Sequence, residues 1–218
     1  MKYLNKSFLA AILMVMVAVG CSSEKKEAQE ETASQKAETS VTDTLTSEEH
    51  AQYMAKSKEL VDLTMKTLGG NLMKALKEEG IAHAAEFCKL QADPLVDSLE
   101  TENSVVIRRA TLKPRNQENM ADSLEESVIM GYMEQIKSGQ AELKPELVKT
   151  SSGDVHFFAP IKIPAPMCLK CHGKLGETLS EEDYKNINEL YPEDKAIGYE
   201  KGDLRGIWNI KFPANANL

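Results

Sequence analysis

The stretch Leu147-Val-Lys-Thr-Ser-Ser-Gly-Asp-Val-His-Phe-Phe-Ala-Pro-Ile-Lys-Ile163 reads as two strands joined by a turn. Apolar, aromatic and β-branched residues fill 147–150 and 155–163, and Ser151-Ser-Gly-Asp154 between them carries turn chemistry, so an antiparallel hairpin is expected. Downstream, a short helical stretch around Asn186–Tyr191 closes at Pro192, and a last strand, Gly206–Phe212, follows the Gly202-Asp203 turn. Upstream, Asp122–Lys137 has a helical face of Leu124, Val128, Ile129, Tyr132 and Ile136, stopped at Gly139. Ser104–Ala110 reads as a strand and Pro114-Arg-Asn116 as a loop.

Further upstream, Thr46 and Glu49 have capping-box spacing. Tyr53, Leu60, Val61, Thr64, Leu68, Leu72 and Leu76 then recur at three- and four-residue steps, so a long helix to Glu79 is expected. Gly80 ends or interrupts it, and Ile81–Leu90 continues as a second helical piece whose end Pro94 marks. A long N-terminal helix, then strands with helical inserts, gives an α+β class with an antiparallel sheet.

The chain has 218 residues, 42% of them hydrophobic, and a net charge of −8. That is enough apolar residue for one real core. The acidic balance argues against nucleic acid as a partner, because phosphate binding needs clustered Lys and Arg. Lys2 and Lys6 precede the uninterrupted apolar and small run Phe8–Gly20, which is shorter than the about 20 residues of a spanning helix. Ala18-Val-Gly-Cys21 resembles a bacterial lipoprotein signal, in which the cysteine becomes the acylated first residue. Ordinary cleavage nearby, with Cys21 incidental, is the alternative. Residues 1–20 are thus expected to be a signal peptide, whose removal leaves 24 basic against 34 acidic residues, a charge of −10. Residues 21–46 are expected to be an acidic flexible tether, and 47–218 the folded domain. The expected location is a bacterial cell envelope, lipid-anchored and periplasmic or outer-membrane associated, with membrane lipid as a partner through acylated Cys21.

Cys168-Leu-Lys-Cys171-His172 is Cys-x-x-Cys-His, the attachment signature of c-type haem. Two thiols at this spacing reach the two vinyl groups of one porphyrin, and the adjacent imidazole ligates the iron from one side. With four Cys and four His in the chain, chance supplies the motif about 0.001 times. One covalent haem is therefore expected. A disulfide or redox pair at Cys168 and Cys171, or a zinc site built from Cys88, Cys168, Cys171 and His172, are the alternatives. The sixth iron position is open among His50, His83, His156, ten Met and Cys88. Cys88 has the best surroundings, sharing a helical face with Ile81, Ala84 and Ala85, although an ordinary buried thiol fits that face equally well. His83 is expected to face elsewhere, and His156 to point outward or be structurally satisfied. Met120, Met130 and Met133 read as core fillers. Arg108, Arg109, Lys113 and Arg115 form a basic cluster in an acidic protein. Arg115 is the candidate for a role near the cofactor, and Arg108 reads as a surface strand charge. Trp208 reads as core.

Four blocks resemble a family of bacterial c-type haem domains of formerly unknown function: Ala84-Ala-Glu-Phe-Cys88, Arg108-Arg-Ala-Thr-Leu-Lys-Pro-Arg-Asn116, Cys168-Leu-Lys-Cys-His-Gly173 and Gly198-Tyr-Glu-Lys-Gly-Asp-Leu-Arg-Gly-Ile-Trp208. The resemblance spans about residues 50–213. It implies a PAS-like fold, a central antiparallel sheet flanked by helices, with Cys88 as the distal iron ligand and His172 as the proximal one. Where the family commonly reads Pro-x-Asn-x-Pro, this chain has Gln117-Glu-Asn-Met-Ala121, so that loop is expected to have its own shape. A thiolate opposite imidazole favours ferric iron and weakens on reduction, opening a position for a small gas ligand such as CO or NO. The expected function is haem-based redox or gas sensing, passed to a separate redox or signalling protein. The alternative is a membrane-tethered electron-transfer cytochrome. No His–Arg pair for O–O cleavage accompanies a Cys-blocked iron, so the reading is not an enzyme.

Overall fold

The computed structural model describes residues 45–216. The expected signal peptide, Cys21 and nearly all of the expected 21–46 tether lie outside the described residues.

The long helix α1 (Ser47–Leu90) starts where the sequence places it. Thr46 Oγ1 accepts from the Glu49 N–H, and the Glu49 carboxylate accepts from the Thr46 N–H, a complete capping box. Gly80 interrupts the helix with φ 83° and ψ −165°, a conformation that favours glycine. The segment after this kink, 81–90, carries Cys88. Pro94 does not end the helical region. It lies in the first turn of a second helix, α2 (Ala92–Asn103), where its missing N–H leaves no bond unmade.

Four strands form one antiparallel sheet in the order β1 (Val106–Ala110), β4 (Leu204–Phe212), β3 (Val155–Lys162), β2 (Glu146–Lys149). The hairpin β2–β3 is as expected. Its turn closes with Gly153 N–H donating to the Thr150 carbonyl at 2.9 Å and with Gly153 at φ 87°. Gly206 sits where β4 crosses β1, and any Cβ there collides with the Ala110 carbonyl. The helix α3 (Ser123–Lys137) opens on Asp122 with its own capping box.

Alternation along the strands divides the sheet. Ile107, Phe157, Trp208 and Ile210 face α1 and α2 and form the main core with Leu60, Val61, Leu68 and Val96. Ala110, Phe158 and Ile207 face α3, against Val128, Ile129 and Tyr132. This is the α+β arrangement expected, a central antiparallel sheet with helices on both faces. A third, smaller cluster joins the kinked end of α1 to α5 (Glu181–Leu190) through Ile81, Ala85, Leu179 and Ile187. No described helix is long and apolar enough to cross a membrane.

Two readings change, and His156 takes one of its two expected alternatives. Met120, Met130 and Met133 are 40%, 51% and 46% exposed, so they are not core fillers. His156 is the structurally satisfied histidine rather than an outward-pointing one. It is buried on the α3 face, where its Nδ1–H donates to Asn209 Oδ1 at 3.0 Å. Asn209 Nδ2 in turn donates to Glu125 Oε1 at 2.8 Å. Arg108 is no free surface charge, because its Nε donates to the fully buried Glu125 carboxylate at 3.0 Å.

Burial alone raises the Glu125 carboxyl, but the bonds from Arg108, Asn209 and the Asp122 N–H outweigh it and hold the group below its ordinary 4.5. A depressed folded-state value gives stability that is complete above the unfolded pKa and is lost as pH falls toward the folded one. Glu125→Gln is expected to destabilise the protein at neutral pH by about 2 kcal/mol and to flatten the loss of stability below about pH 4.5. Urea denaturation across pH checks both; an unchanged acid limb refutes the assignment.

Candidate functional site

The Cys-x-x-Cys-His segment leaves the end of β3 directly. The strand end is fixed by Ile163 N–H to the Asp203 carbonyl at 2.9 Å and Gly202 N–H to the Ile163 carbonyl at 2.8 Å. Pro166 begins a 3₁₀ turn (Pro166–Cys168), a position where its fixed φ suits a helical start. A single α turn follows, α4 (Leu169–His172), closed by Gly173 N–H to the Leu169 carbonyl at 2.8 Å. Gly173 is required: a Cβ there collides with Thr178 Oγ1 and the Leu169 carbonyl.

The 194–199 segment then clasps this turn. Tyr199 N–H donates to the His172 carbonyl at 3.0 Å, and Gly198 N–H to the Gly173 carbonyl at 2.8 Å. His172 Nδ1 lies 2.8 Å from the Ala196 carbonyl, which only accepts, so Nδ1 carries the proton and Nε2 keeps a free lone pair. Burial, reinforced by Arg115 and Arg205, holds the imidazole well below its ordinary 6.5 and keeps it neutral. The Tyr199 ring meets the imidazole edge-on at 6.3 Å.

A cavity of about 160 Å³ runs from the kinked end of α1 to this turn. Cys88, Cys171, His172 and Arg115 all line it, with Ala84 and Ala85 giving a low, flat wall. Burial raises the Cys88 and Cys171 thiols, while Arg109 and Arg115 pull Cys88 the other way. A second cavity of about 200 Å³ adjoins the first and shares Arg109, Asn119, His172 and Arg205 with it. Cys168 is half-buried one turn back, outside the residues lining either cavity. Cys88, Cys168 and Cys171 are free thiols, so no disulfide joins the motif. Among the described residues no three His, Cys, Asp or Glu side chains converge as a metal cage. His83 lies beside Glu79 and Glu86 on the exposed side of α1, as expected, and His156 lies across the sheet.

A family model described as Tll0287-like matches residues 25–213. The chain belongs to the Tll0287-like family. The resemblance carried by the four sequence blocks is to such a family. The solved structure of the cyanobacterial heme-protein Tll0287 matches this Tll0287-like chain with a TM-score of 0.55 at 22% identity, over 80% of this chain and all of that one, a likeness of fold. No curated protein sequence matches the chain.

The basic cluster splits in this Tll0287-like chain. Arg108 serves Glu125 on the far face, and Lys113 Nζ donates to the Ile197 carbonyl at 2.5 Å and sits 4.6 Å over the Tyr199 ring. Arg115 is mostly buried. It pairs with the fully buried Asp194 at 3.0 Å and donates to the Cys171 carbonyl at 2.6 Å. Its role here is to position the motif turn. Residues 117–119 form a 3₁₀ turn in place of a proline-shaped loop. Sequence reasoning missed Asp194, Ala196, Tyr199 and Arg205 as parts of the site. Tyr199 and Arg205 stood inside the fourth block, which was the available signal. Asp194→Asn strips the Arg115 guanidinium of its counter-charge, and is expected to cost about 3 kcal/mol of stability in chemical denaturation. An effect below 1 kcal/mol would mean that the pair is dispensable.

Proposed function

We propose that this protein is a single-haem c-type domain held at a bacterial cell envelope, in which Cys168 and Cys171 attach the porphyrin and His172 and Cys88 are the axial ligands. The observation that carries the reading is one cavity lined by Cys88, Cys171 and a His172 whose Nε2 lone pair is free, walled by Ala84 and Ala85. The donor set suits haem iron, with one imidazole oriented through its Nδ1–H and one cysteine sulfur. The family membership and the fold shared with a protein titled as a heme-protein support the same reading. When bound, haem supplies a one-electron Fe(III)/Fe(II) couple whose ligand preference changes with oxidation state.

The chain's own residues favour sensing over simple electron transfer. Cys88 sits on the short segment beyond the Gly80 kink, where that segment packs on α5. With haem bound, Cys88 would hold the iron from this segment, and a thiolate grip weakened on reduction by a redox partner would free the segment to rearrange and open a position for a gas ligand. The rearrangement is read by a separate redox or signalling protein, and Cys21 acylation keeps the domain at the membrane. A fixed ligand set in both oxidation states favours electron transfer instead. We read the protein as non-enzymatic.

The test is a visible spectrum of the purified protein, oxidised and then dithionite-reduced, with a pyridine haemochrome assay and intact mass. Covalent haem and a ligand change on reduction are expected. A colourless protein from cells with working cytochrome-maturation machinery overturns the reading. Cys88→Ala is expected to keep covalent haem and lose the low-spin ferric electron paramagnetic resonance signal of thiolate ligation; an unaltered signal removes Cys88 from the iron.

A further inference from the structure

We propose that Arg205 and Arg109 form the carboxylate-binding end of the cleft and receive the two propionates of the porphyrin. This rests on the haem reading above. Both arginines line both adjoining cavities, as His172 does. Among the described residues Arg205 has no ion pair. Its Nη1 donates to Thr111 Oγ1 at 2.9 Å and its guanidinium lies 5.5 Å from the Tyr199 ring centre, both neutral partners. Arg109 has one carboxylate neighbour, Asp93, at a loose 3.7 Å. Asp93 is also the one carboxylate lining either cavity, and Asp194 is committed to Arg115. The cleft therefore holds more guanidinium than carboxylate, in a chain whose net charge is −8.

A desolvated cation among neutral partners is unfavourable unless an anion reaches it, and guanidinium matches a carboxylate with two parallel hydrogen bonds. The placement along the cleft fits. Cys171 lines the first cavity, and the second extends past His172 to Ala110, Ile161 and Gly206, without a thiol. The vinyl-bearing and carboxylate-bearing edges of a porphyrin are opposite, so a ring tied at the thiols directs its carboxylates to the arginine end. Asn119, shared by both cavities, adds a neutral amide there.

The experiment compares intact, haem-loaded wild-type protein with Arg205→Leu, Arg205→Lys and, as a surface control, Lys137→Gln. Resonance Raman spectra read the propionate bending band, and redox titrations read the midpoint potential across the carboxylate titration range. Both Arg205 variants are expected to keep covalent haem and to shift the propionate band. Arg205→Leu is expected to move the potential negative and to add a pH dependence absent from wild type. Lys137→Gln matches wild type in both. An unshifted band in Arg205→Lys overturns the proposal and leaves the haem reading standing, and this arm decides the matter even where Arg205→Leu does not accumulate. Wild-type protein without haem overturns both.

Discussion

One guanidinium ties together the parts of the chain that make the cleft. Arg115, from the loop after β1, grips the Asp194 carboxylate and the Cys171 carbonyl at once. The Asp194 carboxylate also accepts from the Ala196 N–H at 2.8 Å, and the Ala196 carbonyl orients the His172 imidazole. Three segments distant in sequence are thus held by a connected set of polar bonds, little exposed to water and so little weakened by it. The imidazole's direction depends on all of them. Its tautomer is fixed by a main-chain carbonyl, which cannot change protonation state.

The sheet separates two polar systems that never meet. On the α3 face, Arg108, Glu125, Asn209 and His156 satisfy one another, with the Glu125 side chain fully buried. On the other side of the strand, the adjacent residue Arg109 turns to the cleft. The two-residue period of a strand alone sends neighbouring arginines to opposite duties. One neutralises a structural carboxylate; the other remains nearly uncommitted.

The legible parts of the fold were those whose signal is local. The capping box at Thr46, the 147–163 hairpin and the Gly80 break all follow from short-range chemistry. Residues 92–103 were not legible as a helix, because Pro94 reads as a stop unless it is known to fall in a first turn. Met130 and Met133 misled because an apolar side chain on an amphipathic helix looks the same whether it faces in or out, and Met120 because it follows a short turn with no periodicity to read. In the candidate site, the spacing of the motif and the face of Cys88 were readable. Asp194 and Ala196 were not, since one acts through a partner 79 positions away and the other through its carbonyl oxygen, which no side-chain pattern records.

Gly173 carries this point into comparison with other chains. Its neighbours leave no volume for even a methyl group, so the five-letter signature is in practice a six-letter one here. Chains that carry the first five letters but a bulkier sixth must let the downstream segment swing wide. Their imidazole then loses the backbone clasp that orients it. The sixth letter therefore separates chains able to share this local architecture from those that merely share the attachment chemistry.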